Sequence, residues 1–415
     1  MLNHVQKTDP FIFEHLQAEL ERQKSNIEMI ASESFVPPEV MEIQGSVITN
    51  TTLVGYPGSR SQVGSHLSDE LELEAIRRAQ DVFGCGYANM QVYSGSTANY
   101  GVYASVLNPG DRVLSMSPAQ GGHTTHGYPG NISEKVYQFS YYGVDRETEM
   151  IDMDEVRKIA EKIHPQLILA GATFYPRLID YKAFADIAAS VGAYLMVDMA
   201  HVCGLVAAGV IPSPVPYADF VSTSTTKTFM GPRSGMILCK SEHAEKLDKG
   251  VFPGLVASVH MNEVAAKCWS LGYAKTKEFK EVMKQILLNS KALAEELKQR
   301  GFRIVAGTSD NHLILADVRS FGITGKEMQT ALHKAGISVN NILVPYDTNP
   351  KETSGIRIGL TCVTQRGMRE KDMGRLADIY LAAAKFAKDP DQLSQVKDKS
   401  SKFIAEFPLY PGEVF

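Results

Sequence analysis

A chain of 415 residues with 44% hydrophobic and 21% charged side chains has the make-up of a soluble globular protein, long enough for one large domain and a smaller one. Its net charge of -5 comes from 42 basic and 47 acidic residues with no basic block, which speaks against a nucleic-acid partner. No apolar run reaches bilayer-spanning length, and the first ten residues carry no signal-like apolar core, so no membrane association is expected. Cys85, Cys203, Cys239, Cys268 and Cys362 lack paired spacing. They read as buried thiols of a reducing, cytoplasmic compartment, with neither a disulfide framework nor a metal site.

In chain order, residues 11–24 have helical apolar spacing and read as an N-terminal arm helix. A second helix is expected over 68–83 with Ser68 as its N-cap, placing Asp69 early in the helix, where the dipole favours negative charge. From about 87 to 240 short apolar strands alternate with amphipathic helices, one of them starting at Thr97. Strands are expected at 167–171, 194–198, 220–223 and 235–239. The alternation predicts an α/β fold with a mostly parallel sheet of the seven-stranded type covered on both faces. A long helix over 278–300 leads into strands at 312–317 and 355–359 and helices near 325 and 370–388, a small C-terminal α+β domain. The expected boundaries are an arm over 1–50, a large domain over 51–280 and a small one over 281–415.

The chemistry centres on Ser-Thr-Ser-Thr-Thr-Lys-Thr at 222–228, which sets Lys227 among hydroxyls. About thirty residues upstream, Leu-Met-Val-Asp ends on Asp198. A lysine able to form a Schiff base, paired with an acid able to hold a pyridinium nitrogen, is the minimal kit of a pyridoxal 5'-phosphate (PLP) enzyme. Both residues fall at the carboxyl ends of expected strands, where ligands bind such sheets. Ser94-Gly95-Ser96 closes a strand and opens a helix, the make-up of a phosphate cradle and equally of an ordinary turn and cap. His123 offers a flat ring that either stacks on a ligand or serves its own loop. Arg357, on an expected buried strand, suits a substrate carboxylate or a structural ion pair. Ser32 and Glu33 read locally as a helix end.

Together these segments resemble the serine hydroxymethyltransferase family of fold-type I PLP enzymes. The likeness runs through Ile-Ala-Ser-Glu-Ser-Phe-Val at 30–36, Gly-Tyr-Pro-Gly-Ser-Arg at 55–60 and Ser-Gly-Ser-Thr-Ala-Asn at 94–99. It continues through Gly-Gly-His-Thr-Thr-His-Gly at 121–127, the segment 194–209, Thr-Lys-Thr-Phe-Met-Gly-Pro-Arg at 226–233, Asp-Asn-His-Leu at 310–313 and Ser-Gly-Ile-Arg-Ile-Gly at 354–359. The resemblance implies that Lys227 carries the Schiff base, Asp198 binds the pyridine nitrogen, and Ser94, Gly95 and Ser96 hold the phosphate. It puts His123 on the ring face, Thr173 and His201 near the phenolic oxygen, and Ser258 in the phosphate-side turn. By the same resemblance Ser32 and Arg357 are expected to grip the substrate carboxylate and Arg233 to belong to the active-site loop. It also implies a homodimer with shared active sites, compatible with further pairing into a tetramer.

The departures from the family pattern bear on function. Its Lys-Tyr-Ala-Glu before Gly-Tyr-Pro-Gly is Thr51-Thr52-Leu53-Val54 here, so the glutamate that handles protons in the folate-dependent step is Val54, and a tyrosine that reaches the neighbouring phosphate is Thr52. A second active-site tyrosine is Gln62, the histidine before the lysine is Thr226, Gln-Gly-Gly-Pro is Val256-Ala257-Ser258-Val259, and Asn-Lys-Asn is Asn340-Asn341-Ile342. The PLP and carboxylate residues are kept while those of the folate step are gone. This predicts an aldolase or transaldolase acting on the Cα–Cβ bond of a β-hydroxy-α-amino acid, with an aldehyde as second substrate and without tetrahydrofolate. The competing enzymatic readings are folate-dependent serine–glycine hydroxymethyl transfer, and transamination, racemisation or decarboxylation, since fold alone does not decide which bond breaks. His123, His201 or a water would replace the lost base.

Overall fold

The computed structural model describes residues 3–345, 347, 349 and 352–412, which divide into two compact units. One comprises residues 34–287 with 310–312; the other comprises residues up to 33, 288–309 and those from 313 onward. The first 33 residues therefore belong with the C-terminal unit, a grouping that differs from an arm over 1–50, and the long helix, Lys277–Gln299, crosses the boundary at 287.

In the larger unit seven strands form one sheet: β1 (Tyr87–Asn89), β2 (Arg112–Met116), β3 (Gln138–Tyr142), β4 (Leu167–Ala170), β5 (Tyr194–Asp198), β6 (Phe220–Ser224) and β7 (Gly235–Cys239). The order across the sheet is β1-β7-β6-β5-β4-β2-β3. Strands β2 to β6 pair in parallel, whereas β7 is antiparallel to both β6 and β1. Only residues 225–234 separate β6 from β7, too few for a crossover helix, so the chain reverses there.

The central strands are buried on both faces, which is why they read as unbroken apolar runs. Leu167, Leu169, Met196, Phe220 and Ile237 join the core with Val102 and Tyr103 of helix Gly95–Val106 and with Leu247 of helix Ala244–Val251. The alternate residues Ile168, Leu195, Val197 and Leu238 are equally buried on the opposite face. Helices Met153–Ile163 and Tyr181–Val191 pack on one another, and the second also packs on β4 and β5.

Three local expectations are corrected. Helix His66–Phe83 has Ser65 at its N-cap position, and Ser68 lies buried within it. The helix expected from Thr97 starts at Gly95, because Ser94 accepts the Thr97 N–H while the Thr97 hydroxyl takes the Ser94 N–H, a reciprocal capping box. Ser32 and Glu33 follow the short strand Ile27–Glu28 and a turn closed by Glu33 N–H on the Ile30 carbonyl; they do not end a helix.

The smaller unit holds a four-stranded antiparallel sheet, in order Arg303–Ile304, Leu313–Asp317, Gly355–Gly359 and Asn340–Ile342. Helices Pro10–Ser25, Gly325–Lys334, Glu370–Lys385 and Pro390–Ala405 belong to the same unit. Strand Ile27–Glu28 pairs in parallel with Ile337–Ser338. Among the described residues no helix is long and apolar enough to cross a membrane.

Candidate active site

The expected site residues fall into two sets, one in each unit. In the larger unit Asp198 ends β5, and its carboxylate is held from several directions. Oδ2 accepts from Asn99 Nδ2 at 2.9 Å and from His126 Nε2 at 3.0 Å, and Oδ1 accepts the Ala200 N–H at 3.0 Å. The proton positions follow from the neighbours. His126 Nδ1 accepts the His123 N–H at 3.2 Å, so its proton sits on Nε2, pointing at Asp198. Asn99 gives its second amide hydrogen to Thr125 Oγ1 at 2.7 Å, and its carbonyl oxygen accepts from Ser222 Oγ at 2.6 Å. Burial pushes the Asp198 carboxyl up, but the His126 hydrogen bond and the neighbouring His123 and Lys227 hold it well below the usual carboxylate range. A buried acid kept ionised in this way suits a protonated ring nitrogen.

His123 is tied into the same network. Thr125 Oγ1 accepts from Asn99, so it turns its own proton to His123 Nδ1, 2.8 Å away, and the Thr125 N–H reaches that nitrogen at 3.2 Å. Burial lowers the His123 pKa to about 4. The ring is neutral at pH 7 with its Nδ1 lone pair occupied. Thr173 ties the segment after β4 to this loop: its N–H and hydroxyl both donate to the Gly121 carbonyl, at 2.7 and 3.1 Å. Gly171, just after β4, permits close approach to Asp198, since a Cβ there would lie 2.4 Å from the Asp198 carbonyl oxygen.

Lys227 opens a single 3-10 turn, Lys227–Phe229, after β6, with φ at +48°, a left-handed conformation uncommon for a residue with a Cβ. The turn is held from the side. Thr228 Oγ1 donates to the His201 carbonyl at 2.9 Å and accepts the Gly204 N–H at 3.1 Å. Gly204 is required here, because a Cβ would stand 2.1 Å from the Thr228 carbonyl oxygen. Ser224 and Thr226 hydroxyls pair at 2.9 Å. Arg233, in the same loop, is exposed.

At the start of helix Gly95–Val106 the Ser94 hydroxyl serves as the helix cap, and the first-turn amides of Gly95 and Ser96 are groups that could hold an anion. Ser258 lies on strand Ser258–His260, antiparallel to Thr52–Val54 and opposite Val54. Its carbonyl accepts from Tyr93, the residue before Ser94, and Tyr93 stacks on His260 at 4.3 Å between ring centroids.

Val54 offers only backbone bonds to its surroundings: its N–H goes to Gln62 Oε1 at 2.8 Å and its carbonyl to the Ser61 N–H at 3.0 Å. The loop between them is pinned by buried Arg60, which bonds Gly55, Glu72 and Asp69. No carboxylate occurs between Val54 and Gln62.

In the smaller unit Arg357 sits on a central strand opposite Leu315 and Asn340, and its Nη2 donates to Asn340 Oδ1 at 2.7 Å. Burial lowers its pKa to about 10, so the guanidinium keeps its charge at pH 7. Gly359, two residues along, donates to the Met29 carbonyl at 2.7 Å and brings the Ser32 turn to the end of this strand. A half-buried guanidinium on the strand whose end meets this turn is of a kind that can hold a carboxylate.

The residues in place therefore fit PLP. Sequence reasoning singled out Lys227, Asp198 and His123 but missed Asn99, Thr125, His126 and Ser222; the Ser-Gly-Ser-Thr-Ala-Asn and Gly-Gly-His-Thr-Thr-His motifs contain three of them and were the available signal. Compared with known families, the chain matches the serine hydroxymethyltransferase model over residues 5–380.

Proposed function

The chain belongs to the serine hydroxymethyltransferase family, PLP-dependent enzymes acting on small-molecule amino acids, and from that premise we propose that it is a folate-independent aldolase or transaldolase for β-hydroxy-α-amino acids. The observation that carries this reading is Val54. Where the family has a proton-handling glutamate, this chain has an apolar side chain whose backbone is fixed by Gln62 and Ser61. Losing a positioned general acid or base costs about 100- to 10,000-fold in rate, and the loop offers no substitute carboxylate. Ile342 adds apolar surface where the family pattern has a second asparagine.

Lys227 would hold the cofactor covalently, Asp198 its ring nitrogen, and the amides of Gly95 and Ser96 its phosphate. Bound there, PLP supplies the electron sink for a carbanion at Cα. Arg357 and Ser32 hold the substrate carboxylate and so fix which Cα bond stands ready to break. Asp198 stays ionised because Asn99 and His126 donate to it throughout. His123 is unsuited to act as base at Nδ1, since accepting a proton there would sacrifice its bonds from Thr125. The β-hydroxyl proton then goes to His201 at Nε2, or to a water. We also read the protein as a cytoplasmic homodimer: its five cysteines are buried, and apolar side chains stand exposed along residues 47–73.

The test is aldehyde release from threonine, serine and α-methylserine by PLP-loaded protein without folate. Release at catalytic rates supports the proposal. Serine turnover only after tetrahydrofolate is added would replace it with the folate-dependent reaction.

A further inference from the structure

The tripeptide Asp310-Asn311-His312 is flanked on both sides by chain of the smaller unit but belongs to the larger one. Each of its residues is anchored there. Asp310 accepts from Arg177 Nε at 2.6 Å, and its N–H donates to the Pro176 carbonyl at 2.8 Å. Asn311 Nδ2 donates to the Tyr175 carbonyl at 2.9 Å. His312 is fully buried, with its ring 5.3 Å from that of His201 between centroids and inclined by 29°. His312 Nε2 and His201 Nδ1 are 3.2 Å apart.

Two imidazole nitrogens at that distance hold one proton between them. Two lone pairs would repel, and two N–H groups would leave neither bonded. If His201 Nδ1 carries the proton, His201 Nε2 is a lone pair and accepts; if His312 Nε2 carries it, His201 Nε2 bears a proton and donates. A second positive charge across the gap is opposed by like-charge repulsion in a site that excludes water. Because the bonds of Asp310 and Asn311 fix the main chain immediately before His312 and the ring itself is fully buried, His312 has little freedom to turn away.

We propose that His312 is a positioning residue that fixes the tautomer of His201, and thereby whether His201 Nε2 accepts or donates the proton of the substrate's β-hydroxyl. In cleavage the O–H bond breaks and an N–H bond forms at His201 Nε2, the oxygen's electron pair becomes the C=O bond of the released aldehyde, the Cα–Cβ bond breaks with its pair left on Cα, and the proton on His201 Nδ1 stays shared with His312 Nε2. In the reverse direction the same proton returns to the new hydroxyl. The inference rests on the reading of His201 as the proton-handling group.

The test is 15N NMR of the holoenzyme labelled at histidine, with His201 and His312 ring signals assigned by single replacement. The wild type is expected to show one complementary pair of tautomers. In His312→Phe, His201 is expected to become a mixture, and His312→Gln, which keeps a hydrogen-bonding group facing His201, is expected to restore one form. Folate-free cleavage should fall about tenfold or more in His312→Phe, while His201→Asn combined with His312→Phe should be no slower than His201→Asn alone. An unchanged His201 tautomer in both His312 variants, or losses that add, overturns the proposal. The NMR readout needs no turnover, so a wild type that cleaves nothing refutes the aldolase reading separately.

Discussion

A carboxylate buried at a strand end would ordinarily take up a proton, and the side chains that prevent this at Asp198 are individually replaceable. His126→Phe keeps a flat ring but removes the N–H directed at Oδ2. A hydrogen bond to a charged group contributes about 1.5–3 kcal/mol, so PLP binding is expected to weaken about tenfold or more, measured by titrating apoenzyme with cofactor. Glu28 has the opposite environment. Burial, and then the charge of Glu33, raise its pKa from 4.5 to about 7. The folded protein holds a proton that the unfolded chain has released, so stability declines as pH rises from about 4.5 through about 7. Glu28→Gln should remove that decline, gaining on the wild type by up to about 3 kcal/mol between pH 5 and 8 in urea unfolding. What was legible at this scale was chemical type beside a strand end, as with Lys227 and Asp198. Asn99 was not, because nothing sets its amide apart from those of the other asparagines until helix Gly95–Val106 and β5 bring it within 2.9 Å of a residue 99 positions away.

Among the elements, the turn Lys227–Phe229 shows how a strained backbone is kept. The Thr228 hydroxyl is its lateral tie, bonded to both the His201 carbonyl and the Gly204 amide. Thr228→Val matches its shape and loses both bonds. Schiff-base formation should weaken by several-fold, consistent with about 1 kcal/mol per bond and readable from the cofactor's visible band. Arg366 performs a larger task in the other unit. Its buried guanidinium donates to the carbonyls of Gln23, Lys24 and Asn26 at the end of helix Pro10–Ser25, and to those of Ile404 and Phe407 at the end of Pro390–Ala405. A cation at two helix C-termini satisfies carbonyls that otherwise face no donor. Arg366→Met is expected to cost about 3 kcal/mol or more in stability. Arg366→Lys should recover only part of this, because one ammonium cannot reproduce the fork. The amphipathic pattern predicted both strands and helices well where periods were long. It missed β3, whose apolar and polar residues alternate weakly, and misplaced the start at Thr97, because a capping box shifts the first helical residue to Gly95.

At the scale of the molecule, the surface carries an apolar excess with a place in the chain. Val47 is 84% exposed, Val63 99% and Leu67 63%, all in one stretch of the larger unit. In the proposed homodimer a second copy would cover this stretch. Leu67→Glu is expected to shift the protein toward monomer in sedimentation and to lower PLP occupancy; an unchanged dimer with this variant would put the interface elsewhere. The mixed ownership of the chain by its two units was not legible in the sequence, because pairing of Ile27–Glu28 with Ile337–Ser338 joins residues some three hundred positions apart. That pairing limits how the protein can be cut or recombined. The smaller unit is not a cassette: a gene fragment encoding 288–415 would omit the strand that lies beside Ile337 and the end of helix Pro10–Ser25 that Arg366 caps. Such a fragment is expected to give circular dichroism and amide spectra of an unfolded chain until a peptide of the first 33 residues is added in trans. Exchange of a whole C-terminal piece with a relative is then expected to fail unless the first 33 residues are exchanged with it.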